Sequence, residues 1–297
     1  ETRDYLLTKG YKVERIYITE KTVNPQYYNK GTYSNGEPIP EELRRPNFAW
    51  DGNKVKIADA INTGRLFVNH RDHGATWGWG DPEYKTQDVL GLNNGTKTPI
   101  VFSINCQTGW FDNETDNNPQ TPVNEVGFSE AWERNLKGGA VGVIAATRVS
   151  YSGWNDYIFK GYYDAMYPDY LKNYGGNTPV YYMGNVLIYG KLAGEVIWAK
   201  WPEYKKVEFE MFHYFGDPSM MARTKNPDKL TLTYDNKLFI GSEKLEVSSN
   251  SANTFVTFTQ NGTIIGTGEI ANDRATIKFI TPILSDALIE VTGFSHN

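Results

Sequence analysis

Short, uninterrupted apolar runs alternate with helical segments up to about residue 225, and this alternation constrains the fold more than any other feature. Three such runs lie at residues 65–70, 99–105 and 140–147. Runs this short and continuous are typical of strands buried on both faces, which occur in parallel sheets. Helices are predicted at residues 56–62, 128–136, 156–173 and 183–200. The pattern predicts an α/β fold, with a mostly parallel sheet and helices on both of its faces.

The N-terminal stretch adds three elements to this prediction. Residues 1–10 read as the later part of a helix that ends at Gly10, and residues 11–19 are predicted to form a strand. Residues 25–54 are polar and rich in turn-forming residues, so we expect a long surface excursion there. A helix that begins at residue 1 without a cap suggests that the chain was cut from a longer precursor, with a first strand of the sheet lying upstream.

The pattern changes after Pro227, where helical periodicity stops. The remaining residues form short runs rich in β-branched side chains, separated by turns such as Asn261-Gly262. Strands are predicted at residues 229–233, 244–248, 254–260, 263–269, 274–279 and 287–292. This succession predicts a small immunoglobulin-like β-sandwich. The sequence therefore predicts two domains, residues 1–225 and residues 226–297.

Charge and composition exclude several classes of protein. The chain carries 30 Lys and Arg against 35 Asp and Glu, a net charge of −5 with no basic block, so we expect no nucleic-acid partner. No apolar run approaches the ~20 residues that a membrane-spanning helix needs, so we expect no membrane span. The single cysteine, Cys106, rules out an internal disulfide and a multi-cysteine metal site. One thiol is left to explain.

That thiol lies in one of two polar loops that follow apolar strands. The first loop ends the segment 68–76 and contains His73, and the second ends the segment 101–109 and contains Cys106. The carboxyl ends of neighbouring parallel strands meet at one edge of a sheet, so the two side chains are expected to emerge side by side. An imidazole beside a thiol can take its proton or hold it as the reactive thiolate. On spacing alone, however, a lone Cys at a strand end is more often a small buried hydrophobic residue.

Further motifs occur in an order that matches a known family. His73-Gly74 and Asn105-Cys106 are accompanied by Gly-Trp-Gly-Asp-Pro at 78–82, Phe-Ser-Glu-Ala at 128–131, Ser-Gly-Trp at 152–154 and Phe-Gly-Asp-Pro-Ser at 215–219. Together these motifs resemble the gingipain family of caspase-like cysteine peptidases, over nearly the whole chain. The resemblance implies a caspase-like α/β domain followed by an immunoglobulin-like module. It also implies a secreted or cell-surface endopeptidase that acts on protein or peptide substrates.

The resemblance implies roles for residues at the two loops. Cys106 would be the nucleophile and His73 the general base and acid. The backbone N–H groups of Gly74 and Cys106 would stabilise the oxyanion of the tetrahedral intermediate.

The resemblance also implies a pocket for the substrate residue that precedes the scissile bond. Trp154 would form its aromatic wall, and Asp156 would hold a Lys or Arg side chain through a charge-assisted hydrogen bond. Arg71 opposes this preference, since an unpaired Arg71 would repel a basic residue and favour an acidic one. If Arg71 and Asp156 pair, a neutral residue would fit. We expect a preference for Lys or Arg.

Two features of the family fall outside this sequence. The carboxylate that orients the catalytic His, and an acidic residue of the specificity pocket, precede the strand that corresponds to residues 11–19. Both would lie upstream of Glu1, so the resemblance assigns neither. We expect an upstream segment of the same precursor to remain bound and to supply the orienting acid. The sequence also departs from the family in its long 25–54 excursion and in Arg71-Asp72, where other members carry small residues.

Several alternatives stay open. His70 competes with His73 as the base, but it lacks the adjoining Gly, so we interpret it as a hydrogen-bonded packing residue. The chemistry itself needs no cofactor. Asp81 and Glu83 are candidates for a structural calcium site, which this family often carries, although a capped loop is the simpler interpretation. The alternative function is a catalytically inactive adhesin or peptide-binding module that keeps the peptidase fold.

Overall fold

The computed structural model describes residues 1–28, 36–112, 126–198, 201–225 and 228–295, and the chain divides into two compact units, Glu1–Thr224 and Lys225–Asn297. The helices of the first unit are α1 (Thr2–Thr8), α2 (Lys54–Asn62), α3 (Thr86–Leu90), α4 (Phe128–Arg134), α5 (Ser152–Met166), α6 (Met183–Ile197) and α7 (Pro202–Met211). Its strands are β1 (Phe67–His70), β2 (Gly74–Ala75), β3 (Gly78–Trp79), β4 (Tyr84–Lys85), β5 (Ile100–Ser103), β6 (Gly142–Ala146) and β7 (Phe212–Gly216). A 3-10 turn spans Glu41–Leu43.

The main sheet of the first unit has the strand order β1-β5-β6-β7. The β1–β5 and β5–β6 pairs are parallel, and β7 joins β6 in the antiparallel direction. A second, small sheet has the order β2-β3-β4 and follows directly on β1. The predicted α/β class with a mostly parallel sheet is confirmed.

Helices cover both faces of this sheet, as predicted. Alternate residues of a strand point to opposite faces, and in β5 Phe102 packs into the cluster that contains Ile158 and Tyr162 of α5. Its neighbour Val101 packs into the cluster that contains Trp132 of α4 and Ile61 of α2. Each fully buried large apolar side chain contributes ~1.5–3 kcal/mol to folding, which explains why these strands read as continuous apolar runs.

Local signals fix where several helices begin. The side chain of Asn53 accepts hydrogen bonds from the backbone N–H groups of Val55 (3.0 Å) and Lys56 (3.1 Å), so it caps α2. At α4 the Oε2 atom of Glu130 accepts from the N–H of Gly127 at 2.7 Å. Pro202 occupies the first turn of α7, where its missing N–H costs no hydrogen bond.

The predicted strand at residues 11–19 is wrong. Within the described residues this segment forms one isolated bridge, Ile18 to Asp51. It joins the sheet through side chains instead, since the ring of Tyr11 lies 6.4 Å from that of Phe67 in β1. The 25–54 excursion is anchored by two apolar side chains, Ile39 and Leu43, which are buried. Residues 29–35 of the excursion lie outside the described ranges.

The second unit contains strands β8 (Leu232–Tyr234), β9 (Lys244–Ser249), β10 (Thr254–Gln260), β11 (Thr263–Ile270), β12 (Arg274–Lys278) and β13 (Ile289–Ser295). They form two antiparallel sheets, β11-β10-β13 and β12-β9-β8. Val247, Val256 and Phe258 are fully buried in the core of this unit. Asn261 and Gly262 both have positive φ, as a tight turn between β10 and β11 requires. The arrangement agrees with the predicted immunoglobulin-like sandwich.

No helix in the described parts of the chain has the length and apolar character needed to cross a membrane.

Candidate active site

His73 and Cys106 lie at the same edge of the main sheet. Strands β1 and β5 are parallel neighbours in a register that places His70 opposite Ser103, the last residue of each strand. His73 and Cys106 follow in the loops that leave these two positions. The loops that follow β1 and β5 therefore leave the sheet at the same edge, as the sequence predicts.

Gly74 shows how closely the two loops approach. A Cβ atom on Gly74 would lie 2.5 Å from Oδ1 of Asn105 and 2.7 Å from the carbonyl oxygen of Cys106. Contacts under about 3 Å are too short for a carbon atom, so only glycine fits at this position. The backbone that follows His73 thus lies directly against the residues that carry the thiol.

The loop of Cys106 is held by hydrogen bonds to the loop that follows β6. The N–H of Gln107 donates to the carbonyl of Arg148 at 3.0 Å, and Oγ of Ser150 donates to the carbonyl of Asn105 at 3.0 Å. The Sγ atom of Cys106 lies 3.5 Å from the carbonyl oxygen of Ser150, and the residue is partly exposed. The residue that carries the thiol is therefore held by a defined backbone and is partly accessible to solvent.

His73 is exposed on the opposite loop. Its carbonyl accepts a hydrogen bond from the N–H of Gly80 at 2.9 Å, and its own N–H bonds to Oδ1 of Asp72 at 2.7 Å. The backbone is thereby fixed while the imidazole remains open to solvent. The side chain is thus available for proton transfer at the surface where Cys106 emerges.

Arg71 and Asp156, both predicted to line the substrate pocket, are brought together. Nε of Arg71 donates to Oδ1 of Asp156 at 3.0 Å, and Nη2 lies 2.9 Å from the same oxygen. Nη2 also donates to the carbonyl (2.7 Å) and Oγ (2.9 Å) of Ser152 at the start of α5. The sequence leaves open whether Arg71 and Asp156 pair. In the structure they do, so their two charges largely cancel.

Trp154, which was predicted to form an aromatic wall of the pocket, is buried in the structure. Its side chain is 2% exposed and packs in the core with Ile158, because α5 begins at Ser152 and turns this position inward. The exposed aromatic residue of the loop is Tyr151, whose ring lies 4.6 Å from that of Tyr204 on α7. Tyr151 directly follows Ser150, which contacts the thiol, so this tyrosine pair borders the site.

Glu208 was not predicted, and it is buried beside the same loop. Its side chain is 0% exposed, and Oε1 accepts a hydrogen bond from the N–H of Tyr151 at 2.6 Å. Among the described residues its Oε2 has no hydrogen-bond partner. Burial raises the pKa of Glu208 to about 8, against the opposing effects of the Tyr151 N–H and the charge of Arg71. Only three-dimensional packing reveals this carboxyl, since in the sequence it resembles any polar position of α7.

Glu208 should make the stability of the protein depend on pH. Its pKa lies near 8 in the folded chain and near the ordinary 4.5 in the unfolded chain, so the folded state binds the proton more tightly. The contribution is fully present below pH 4.5 and is lost as the pH rises towards 8, by up to about 1.4 kcal/mol per unit. Glu208→Gln is expected to flatten this dependence, as measured by chemical denaturation at pH 5, 6.5 and 8. Glu203→Gln, an exposed position of the same helix, is the control. Equal pH dependence in wild type and Glu208→Gln would contradict the assignment.

Asp81 and Glu83, the candidates for a structural calcium site, lie between β3 and β4. Oε1 of Glu83 pairs with Nζ of Lys85 at 3.0 Å. Within the described ranges no group of three or more His, Cys, Asp or Glu side chains is placed to hold a metal ion. Calcium takes about six to eight oxygen ligands, which include backbone carbonyls and waters as well as carboxylates. A site at Asp81 and Glu83 would therefore need such additional oxygen ligands.

Comparison with known proteins identifies a peptidase family that matches most of this chain. Residues 1–223 match the sequence pattern of Peptidase family C25. Gingipain R2 of Porphyromonas gingivalis is 24% identical over 253 residues, which cover 81% of this chain and 31% of that protein. Gingipain R1 of the same organism is 25% identical over 253 residues, which cover 81% of this chain and 23% of that protein. The chain thus spans about a quarter to a third of the length of these relatives.

Two solved structures have the same fold over most of this chain. The crystal structure of the Arg-specific cysteine proteinase gingipain R has a TM-score of 0.64 and 23% identity, and the match covers 82% of this chain and 53% of that one. A complex of the pro- and mature domains of a Porphyromonas gingivalis gingipain has a TM-score of 0.61 and 24% identity, covering 82% and 54%. At this level of identity the likeness establishes the fold alone.

Proposed function

Because this chain belongs to peptidase family C25, we propose that it is a cysteine endopeptidase with Cys106 as nucleophile and His73 as general base and acid. The observation that carries the proposal is the contact of Gly74 with Asn105 and Cys106, which leaves no room for a Cβ atom. It joins the loop of the base to the loop of the nucleophile. A partly exposed thiol and an exposed imidazole at one sheet edge are what this chemistry requires.

The proposed reaction proceeds through an acyl-enzyme. His73 takes the proton of Cys106, and Sγ attacks the carbonyl carbon of the scissile peptide bond. The carbonyl electrons move onto oxygen, which the N–H groups of Gly74 and Cys106 stabilise. His73 then gives its proton to the leaving amine, the C–N bond breaks and a thioester remains. Water, deprotonated by His73, attacks the thioester and releases the carboxylate product and Cys106.

We further propose that the substrate residue before the scissile bond is Lys or Arg, held by Asp156. Both contacts from Arg71 go to Oδ1, so Oδ2 can accept a hydrogen bond from a substrate cation. The Asp156 side chain is 54% exposed, and exposed ion pairs contribute only ~0–1 kcal/mol. A substrate cation can therefore share or displace Arg71 at little cost. Tyr151 and Tyr204 would flank its aliphatic part.

Cleavage of a peptide library by the purified chain tests both proposals. Asp156→Asn is expected to lower kcat/KM for peptides with Lys or Arg before the scissile bond by up to ~5-fold, since an ion pair at an exposed carboxylate contributes about 1 kcal/mol or less. Peptides with a neutral residue there should change little. Arg71→Ala should raise the rate for Lys and Arg peptides, because a competing positive charge is removed.

The control is Asp59→Asn, an exposed carboxylate on α2, which should leave the profile unchanged. Cleavage chiefly after Asp or Glu that is abolished by Arg71→Ala would overturn the basic preference. Absence of any cleavage would instead favour the inactive peptide-binding alternative.

The family also supports proposals about where the protein acts. We propose that it is secreted or displayed at the cell surface and is released from a precursor by proteolytic processing. We also propose that an upstream segment of that precursor binds to this chain and supplies the acid that orients His73. Mass spectrometry of the protein purified from its natural source under denaturing conditions would show a second polypeptide. A fully active species that begins at Glu1, without a companion, would contradict the segment proposal.

A further inference from the structure

Polar side chains are buried directly beneath the loop that carries Cys106. Ser103 and Thr108 are 0% exposed, Asn105 is 1% exposed and His70 is 7% exposed. Burying such groups without hydrogen bonds costs ~1–3 kcal/mol each. Their presence beneath the nucleophile therefore calls for hydrogen-bond partners, and the group supplies most of them itself. Among the described residues only Nε2 of His70 in this group has no hydrogen-bond partner.

The hydrogen bonds form one connected network, which we call the Asn105 network (His70, Trp79, Ser103, Asn105 and Thr108). Nδ2 of Asn105 lies 2.7 Å from Nδ1 of His70 and donates to Oγ of Ser103 at 3.1 Å. Oδ1 of Asn105 accepts from Oγ1 of Thr108 at 2.6 Å. Nε1 of Trp79 donates to Oγ of Ser103 at 2.8 Å. Both ends of the Asn105 amide are thereby engaged, which fixes its orientation.

His70 can play only one part in this network. Burial lowers its pKa to about 3, and the nearby charge of Arg71 acts in the same direction, while an interaction with the backbone of Asp81 opposes them. The ring is also stacked on Trp79, with centroids 4.6 Å apart and planes 4° from parallel. A neutral imidazole has a lone pair on one nitrogen, so Nδ1 accepts the amide hydrogen of Asn105. His70 is thus an acceptor, which separates it from the proton-transferring role proposed for His73.

The position of Asn105 affects both proposed oxyanion donors. Its Oδ1 is the atom nearest to the position that a Cβ of Gly74 would occupy, at 2.5 Å. The backbone of Asn105 precedes the N–H of Cys106, and the backbone carbonyl of Asn105 accepts a hydrogen bond from Oγ of Ser150 at 3.0 Å. The side chain of Asn105 therefore packs against Gly74, and the carbonyl oxygen of Cys106 approaches the same Cβ position at 2.7 Å. Displacement of this amide would therefore disturb the backbone around both N–H groups.

We infer that His70 and Asn105 are positioning residues that set the spacing of the Gly74 and Cys106 N–H groups, and so the fit of the oxyanion. The inference rests on the proposed peptidase function. Loss of one oxyanion donor typically lowers kcat by ~10²–10³-fold, so a displaced pair should cost less than complete loss. The effect should fall on kcat, because the oxyanion forms only after the substrate has bound.

Two substitutions at His70 separate positioning from packing. His70→Phe keeps an aromatic ring against Trp79 but has no acceptor for Asn105. His70→Asn has less bulk but can place its Oδ1 where Nδ1 lies. His70→Phe is expected to lower kcat by ~10–100-fold with KM within about twofold, and His70→Asn should restore most of the loss. If packing alone mattered, the order of the two variants would be reversed.

The rate of Cys106 alkylation by iodoacetamide is the second measurement. This reaction needs the thiolate but forms no oxyanion, so His70→Phe should leave it within about twofold of wild type. Thr108→Val is nearly isosteric but lacks the hydroxyl that donates to Oδ1 of Asn105, so it should lower kcat in the same way. This variant tests the inference if His70→Phe does not fold.

Three outcomes would overturn the inference. The first is a wild-type kcat in folded His70→Phe and Thr108→Val. The second is a kcat of His70→Asn that is no higher than that of His70→Phe. An equal fall in alkylation rate and kcat would assign His70 to the thiolate instead. In each case an active wild type leaves the peptidase proposal standing. A wild type with no cleavage and no reactive thiol would overturn both.

Discussion

Replacing Cys106 with alanine is expected to abolish peptide hydrolysis while leaving the fold intact. Without Sγ no thioester can form, and removal of a catalytic nucleophile lowers kcat by at least ~10⁴-fold in enzymes of this type. The thiol is partly exposed, so the loss of one sulfur atom should change the free energy of unfolding by about 1 kcal/mol or less. Steady-state hydrolysis of a fluorogenic peptide, with a thermal unfolding curve for each protein, measures both quantities.

Cys106→Ser is the matched control for this result. It retains a hydroxyl of similar size but a far weaker nucleophile at neutral pH, so it should be nearly as inactive as Cys106→Ala. Unchanged cleavage in either variant would show that the activity belongs to another site or to a contaminating peptidase.

Replacing His73 with alanine should cause the second-largest loss. A general base and acid contributes ~10²–10⁴-fold to the rate, and His73 serves in both halves of the proposed reaction. Its side chain is exposed, so the variant should fold normally. Added imidazole should restore part of the activity of His73→Ala, because it can enter the vacated space and carry the proton.

His213→Gln is the control for the loss of an imidazole. This histidine lies on β7, where its ring packs against Phe111 with centroids 5.9 Å apart. Its substitution should leave kcat within about twofold of wild type. A His73→Ala variant that keeps full activity would instead point to another base. If added imidazole also raised the activity of His213→Gln, the rescue would not be specific to His73.

The sheet and its two key loops could be predicted because their signals are local. Residues 140–147 read as one apolar run because β6 is buried on both faces, and the structure places the strand at Gly142–Ala146. The same pattern identifies β5, and the loop that follows it carries the only cysteine of the chain. A strand end followed by a polar, glycine-containing loop therefore indicates where the two loops of the candidate site lie, whereas the roles of His73 and Cys106 come from the family resemblance.

Features that depend on distant parts of the chain could not be predicted in this way. Residues 11–19 have strand-like composition, but composition does not reveal whether a sheet edge will pair with them. Trp154 lies in a motif that resembles a pocket loop, yet α5 begins at Ser152 and places Trp154 and Ile158 on one buried face, four residues apart. The inward turn of the helix, rather than the motif, decides the environment of the indole.

The buried polar groups illustrate the same limit. His70 and Asn105 meet only because β1 and β5 are neighbours, and Glu208 meets Tyr151 only because α7 returns to the loop after β6. None of these pairs has a sequence signature. Each supports a loop that bears or borders the proposed catalytic residues.

The most direct test of the central claim is the rate at which iodoacetamide alkylates Cys106 between pH 5 and 9, compared with free cysteine. If His73 holds the thiol as a thiolate, alkylation at pH 6 should be at least ~10-fold faster than that of free cysteine, and His73→Ala should remove the difference. A thiol that reacts no faster than free cysteine over this range, in a protein that cleaves no peptide of the library, would contradict the assignment of Cys106 as the nucleophile.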